Sequence, residues 1–237
     1  MKKTILLSSI LAVGAAFAEA PGTDVECDNL IGALDVTIST TRAQTLVSVP
    51  FLGYNGGAVK VEEMVKTSNL GVNSKLYVAN ENGGYDTWKL NSDNTWEPDA
   101  KVTIGTDGVP VVGESAPQSD ATANRGDAFW IEPANGSTGK IYLLGQGVTT
   151  AGSSAVSEGW NLVGNTSAEA KTISGEGYKK GEKICVQLND AKGSLDSYTF
   201  KVNVGWVKIG DREASTVTIE PGQGFWFLSK GTETIAW

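Results

Sequence analysis

The sequence predicts an all-β protein made of two tandem, similar modules, each a β-sandwich or barrel-like unit, with one short helix near residues 59–67. Three observations predict it. Short apolar or β-branched runs recur along the whole chain, as half-buried strands require. Clusters of Gly, Asn, Asp and Pro separate them, such as Asn80-Glu81-Asn82-Gly83-Gly84 and Asp190-Ala191-Lys192-Gly193. The order of runs in the first half then repeats in the second. With 237 residues, 40% hydrophobic and 19% charged, the chain can bury one large core or two small ones, and it is not disordered.

Taken in order, the chain opens with Lys2-Lys3, an apolar run from Ile5 to Phe17, and the small-x-small word Ala16-Phe17-Ala18. This pattern predicts a secretory signal peptide over 1–18, bacterial in style and cut after Ala18. A cut after Ala20 would leave Pro21 first, which peptidases dislike. The run is shorter than the roughly 20 apolar residues a bilayer span needs, so no membrane span is expected in the mature chain. The product is expected to be exported: extracellular, cell-surface or periplasmic. Removing Lys2 and Lys3 leaves 17 basic against 27 acidic residues, a net charge of −10. That sign argues against nucleic acid as a partner.

An N-terminal segment (19–34) leads into a first β module (35–148). Its expected strands are Val36–Ser39, Thr45–Val49, Lys75–Ala79, Tyr85–Leu90, Lys101–Ile104, Val109–Val112, Ala128–Ile131 and Lys140–Leu144. Val61, Met64 and Val65 share a face at helical spacing, which predicts the helix over Val59–Thr67. The stretch Gly105–Asn124, rich in Gly, Ser, Ala, Pro and Asp, reads as an exposed loop with room for a hairpin of its own, and 149–157 as a small-residue linker. The second module (158–237) is expected to hold strands at Trp160–Val163, Lys183–Leu188, Ser197–Val202, Trp206–Ile209, Thr216–Ile219, Phe225–Leu228 and Thr234–Trp237.

The strongest repeated word is Gly126-Asp127-Ala128-Phe129-Trp130-Ile131 against Gly222-Gln223-Gly224-Phe225-Trp226-Phe227. Pro221-Gly222 suits a type II turn before the strand. Phe129, Phe225 and Phe227 are expected in the core. Trp130 and Trp226 are expected there too, on a central strand covered on both faces. The words Gly159-Trp160-Asn161-Leu162, Gly205-Trp206 and Pro221-Gly222-Gln223-Gly224-Phe225-Trp226 resemble a small β module of bacterial and archaeal secreted and surface proteins, which has no assigned activity. The resemblance covers the second half. The first half departs from it, with Thr45-Leu46-Val47-Ser48 and Arg125-Gly126-Asp127-Ala128 at the matching places. It implies β architecture and a surface location.

The chain has no His, which excludes a Ser-His-Asp triad, a Cys-His pair and His-ligated zinc. No dinucleotide or calcium-loop spacing is present, so no cofactor and no metal site is expected. Two carboxylates suffice for a glycosidase. However, Glu26, Asp28, Glu62, Glu63, Asp86, Glu97, Asp99, Asp127, Glu132 and Asp196 stand in no distinctive word, and no catalytic residue is assigned. Cys27 and Cys185, in an exported chain, are a candidate disulfide. Tyr85, Trp88, Trp96, Tyr198 and Trp206 lie beside polar turn residues and are candidates for stacking on a sugar; the alternative is packing between strands. The expectation is a non-catalytic envelope or extracellular structural protein, with a glycan- or protein-binding module as the alternative. Its partners would be a glycan or other envelope proteins, and self-association is open.

Overall fold

The computed structural model describes residues 31–38, 44–54, 56–80, 84–104, 110–112, 122–134, 139–148, 152–167, 169–174, 177–188 and 194–236. The first half comprises β1 (Ile31–Ile38), β2 (Thr45–Ser48), β3 (Val59–Lys60), α1 (Val61–Met64), β4 (Val65–Ser68), β5 (Lys75–Ala79), β6 (Tyr85–Leu90), β7 (Trp96–Ile104), β8 (Pro110–Val112), β9 (Thr122–Ala123), β10 (Ala128–Glu132) and β11 (Gly139–Gln146). The second comprises β12 (Ser153–Val156), β13 (Gly159–Gly164), β14 (Lys171–Ile173), β15 (Lys183–Gln187), β16 (Leu195–Lys201), β17 (Gly205–Lys208), β18 (Val217–Ile219), β19 (Gly224–Ser229) and β20 (Glu233–Ala236). The fold is all-β and sandwich-like, and its pairings are antiparallel.

The two halves share one topology. The main sheets run β2-β10-β5-β6-β7-β8 and β13-β19-β15-β16-β17, identical apart from β8 at one edge. Phe129 on β10 lies between Val47 and Val78; Phe225 on β19 lies between Val163 and Val186. Strand side chains alternate faces, so Phe129 and Ile131, and Phe225 and Phe227, point inward. They meet a second layer: β1-β11-β4 with α1 in the first half, and the ribbons β12-β20 and β14-β18 in the second. Each half has its own buried apolar cluster. One indole in each ties the layers together. Trp96 Nε1 donates to Val65 O at 3.0 Å, and Trp206 Nε1 to Ser174 O at 3.1 Å.

Several expectations change. Trp88, Trp96 and Trp206 are core residues, not exposed stacking platforms. Trp88 pairs with Leu76 and faces in, Lys89 stays partly exposed, and the polar neighbours Asp86 and Thr87 are themselves buried. Trp130 and Trp226 are only half-buried, because among the described residues no second sheet covers the outer faces of β10 and β19. The helix shrinks to one turn, Val61–Met64, whose N-cap Lys60 makes no side-chain cap. Val65–Ser68 instead pairs with β11, where a full hydrogen-bond ladder outweighs a marginal helix. The linker is also a strand: β12 pairs with β20. Its small residues reflect close packing, since a Cβ on Gly152 would sit 2.2 Å from Thr166 Oγ1. Within 105–124, β8 forms a hairpin with β7.

The modules join about a pseudo-two-fold. Each central strand is preceded by a turn, closed by Asp127 N–H to Asn124 O (3.0 Å) and by Gln223 N–H to Glu220 O (3.1 Å). Gly126 (φ 99°) and Gly222 (φ 74°) take the left-handed position in these turns. Each glycine offers its carbonyl to the other module: Gly164 N–H donates to Gly126 O at 2.7 Å, and Ser48 N–H to Gly222 O at 3.0 Å. The bridges Asp127↔Val163 and Val47↔Gln223 repeat the same symmetry. A Cβ on Gly164 would sit 2.4 Å from Asp127 O and 2.5 Å from Ser48 Cβ, so only glycine fits.

Phe225→Ala should cost about 3–5 kcal/mol, read as a lower urea midpoint. An unchanged midpoint would place β19 outside the folding core. Gly164→Val should cost about 1–3 kcal/mol by overpacking the joint. Calorimetry should then resolve two unfolding transitions, whereas a single unshifted transition would mean the joint does not couple the modules.

Candidate functional site

The outer face of the second main sheet carries an open apolar cleft of about 360 Å³, lined by Trp160, Cys185, Leu195 and Trp226. Strand register places these side chains together. Trp226 lies between Leu162 on β13 and Cys185 on β15, and Cys185 lies opposite Ser197 on β16. The Trp160 and Trp226 rings meet edge to face, with centroids 6.2 Å apart at 86°, a geometry the ring quadrupoles favour. Trp160 is 51% exposed and Leu195 49%. The Cys185 thiol lies 3.3 Å from Ser197 Oγ.

Local chain chemistry aims Trp160 outward. Asn161 pins the bend ahead of it, accepting Ser157 N–H at 3.1 Å and donating to Ser157 O (2.8 Å) and Gly159 O (2.9 Å). The adjacent Trp160 is then held at the sheet edge. Sequence reasoning used Gly159-Trp160-Asn161-Leu162 only as a family word and missed its role. The sequence predicts Trp226 in the core; it is partly exposed, because among the described residues no second sheet covers its side.

The equivalent face of the first module is filled by its own side chains. By register, Gln44, Tyr77, Tyr85 and Trp130 stand where the second module has Trp160, Cys185, Leu195 and Trp226. The Tyr77 and Tyr85 rings meet at 6.3 Å and 87°. Tyr77 Oη donates to Glu132 Oε2 at 2.5 Å, and Gln44 Nε2 reaches the same oxygen at 3.3 Å. Burial, the bond to Glu132 and that carboxylate's charge hold the Tyr77 phenol well above its usual pKa. Burial also raises Tyr85, against a hydrogen bond from Trp130.

The residues singled out in the sequence do not converge. Tyr85 lies on the first module's outer face. Tyr198, partly buried, packs against the second core, and its phenol is raised by burial and by Asp196. The acids are dispersed in ordinary structural roles. Asp86 accepts from Asn80 Nδ2 at 3.1 Å. Asp99 pairs with Lys75 (2.8 Å), Glu97 with Lys89 (3.3 Å), Asp196 with Lys208 (2.7 Å) and Glu63 with Lys60 (3.4 Å). Asp127 accepts Asn124 N–H at 2.7 Å, and burial raises its pKa. Burial likewise raises Glu62. Glu26, Asp28 and Cys27 lie outside the described residues. Cys185 is a free thiol, so the structure lends no support to the bridge. Among the described residues no group of three or more His, Cys, Asp or Glu side chains could hold a metal ion.

Sequence reasoning also missed Glu182, which is fully buried. Its carboxylate accepts Lys179 N–H at 2.7 Å and Lys230 N–H at 3.1 Å. The first module has Ser74 at this place, accepting Ala134 N–H at 2.8 Å. Burial raises the Glu182 pKa and a hydrogen bond with Glu233 adds to the rise, though the backbone amides oppose it. Nearby Tyr178 is pushed up to about 12 by burial and by the charges of Glu233 and Glu182.

The folded chain therefore holds the Glu182 proton more tightly than the unfolded chain. Between the usual value of 4.5 and the raised one it binds more protons, so this group's stabilising contribution falls as pH rises through that window. Glu233→Gln removes the facing charge. It should raise the urea midpoint at neutral pH and flatten the decline; a lower midpoint there would contradict the pairing.

Comparison with protein-family models, with curated proteins and with solved structures finds no match.

Proposed function

We propose that this chain is an exported, non-catalytic structural protein of the cell envelope or extracellular space, and that its second module holds a protein partner through the Trp160–Trp226 cleft. Export rests on the leader at 1–18. The non-catalytic reading is carried by the chemistry of the cleft: two indoles, a leucine and a thiol beside a serine. Such a lining binds apolar groups. Among the described residues no carboxyl lines the cleft, and its thiol, Cys185, has a serine hydroxyl beside it rather than a general base. Of the carboxyls that burial raises, Glu182 and Asp127 are tied to backbone amides and Glu62 lies on α1 of the other module.

The same lining favours a protein over a glycan. A pyranose can stack on an indole, but its hydroxyls need amides or carboxylates around the ring. Among the described residues that line the cleft there is no side-chain amide or carboxylate, and its floor carries the Cys185 thiol beside Ser197 Oγ. An apolar side chain needs no such partners.

Fractionation of a bacterial host expressing the full chain should recover protein beginning at Glu19, outside the cytoplasm. Purified mature protein should give no glycan-array signal that Trp160→Ala abolishes. Cytoplasmic retention with the leader intact would overturn the proposal. So would sustained turnover of polysaccharide or peptide that is lost on one acid-to-amide change.

A further inference from the structure

We propose that the cleft accepts a phenylalanine side chain presented by a partner polypeptide, in the place that Tyr77 fills in the first module. This rests on the binding reading above and names the partner's chemistry.

The first module acts as an internal control. Its backbone has the same strand order and register, and its outer face presents the same tryptophan, Trp130 for Trp226. There the position beside the indole is Tyr77, and Tyr85 completes an edge-to-face ring pair. In the second module the same two positions hold Cys185 and Leu195, both smaller. The missing ring leaves the cleft, and Trp160 replaces Gln44 as an aromatic wall on its far side. At about 360 Å³ the space is at the small end of ligand pockets, which run from about 300 to 1,000 Å³. A single side chain suits it.

The polarity of the missing ring can also be read. In the first module the Tyr77 hydroxyl is satisfied by Glu132. Two residues beyond the central tryptophan, the second module has Leu228 where the first has Glu132. A phenol placed there would meet Leu228 instead of a carboxylate and would lack the hydrogen bond that fixes Tyr77. A plain phenyl ring loses nothing.

A second polypeptide is the source proposed for the ring. Outside the described residues this sequence contains just two aromatics, Phe17 in the leader and Trp237. Residue 236 ends β20, which belongs to the layer across the core from the cleft.

The test uses the full mature chain and three probes, the acetylated and amidated tripeptides Gly-Phe-Gly, Gly-Tyr-Gly and Gly-Leu-Gly. Binding is followed through the indole N–H resonances of Trp160 and Trp226. The phenylalanine peptide should shift both and bind about two- to tenfold more tightly than the leucine peptide, the range expected from an added aromatic pair. It should also exceed the tyrosine peptide. Leu228→Glu should reverse that last preference by restoring the acceptor, and Cys185→Phe should close the cleft and abolish binding. If Cys185→Phe does not fold, Leu195→Tyr serves the same purpose. Equal affinities for the three peptides, absent shifts, or an unchanged preference in Leu228→Glu would overturn the phenylalanine occupant. A glycan that shifts these resonances when no peptide does would also overturn it, while leaving export and the scaffold role to stand or fall on fractionation.

Discussion

The rest of the structure depends on two glycine carbonyls, those of Gly126 and Gly222, each offered to a backbone amide of the opposite module. Both glycines sit in the turn that launches a central strand, so the bond that joins the modules also sets the start of Phe129-Trp130 and Phe225-Trp226. Small residues follow from that choice. Gly222 leaves room for Leu34 and Val36 of β1, and Gly126 for Ser154 of β12. The first strand of each module thus seals the turn of the other. Gln187 adds a third tie, accepting Leu46 N–H at 3.0 Å and donating to Gln44 O at 2.8 Å. Arg125 adds a fourth, reaching Pro50 O and Thr166 O, each at 3.1 Å. A buried joint made of backbone hydrogen bonds cannot slip without leaving amides and carbonyls unpaired.

The period-two pattern made the strands and their duplication legible in the sequence, because strand existence is a local property. Which face a residue occupies, and what covers that face, is not local. Trp88 sits among Thr87, Lys89 and Asp86, and only its pairing with Leu76 reveals that it belongs to the core. Trp226 sits between two phenylalanines, yet among the described residues the sheet has no second layer on its side. The same ignorance of covering layers turned Ser153–Val156 into a linker. Its Gly and Ser content signals freedom in isolation and close packing in context. The site was therefore the least legible part. Trp160, Cys185, Leu195 and Trp226 come from four different strands, and only the register brings them together.

Duplication separates what the backbone demands from what each copy has chosen. Positions that face inward are kept in kind: Val47 and Val163, Val78 and Val186, Phe129 and Phe225, Trp96 and Trp206. Positions that serve the same bond vary more freely. Ser74 and Glu182 both accept the amide that follows the central strand, although one is neutral and the other is an acid with a raised pKa. Outer-face positions diverge most, from Tyr77 and Glu132 to Cys185 and Leu228.

That divergence bears on why the cleft exists. Exposed indole surface forgoes the roughly 25 cal/mol per Å² that burial would return, and Trp160 leaves half of its area in water. A chain selected for stability alone has a remedy within its own fold, because the first module shows that the same register tolerates rings at the positions of Cys185 and Leu195. Filling them would cover Trp226 at no cost in topology. The vacancy is therefore a matter of side-chain choice and not of backbone constraint. Such a departure, made in side chains while the glycine joint is kept, is the kind of stability cost that a binding surface carries.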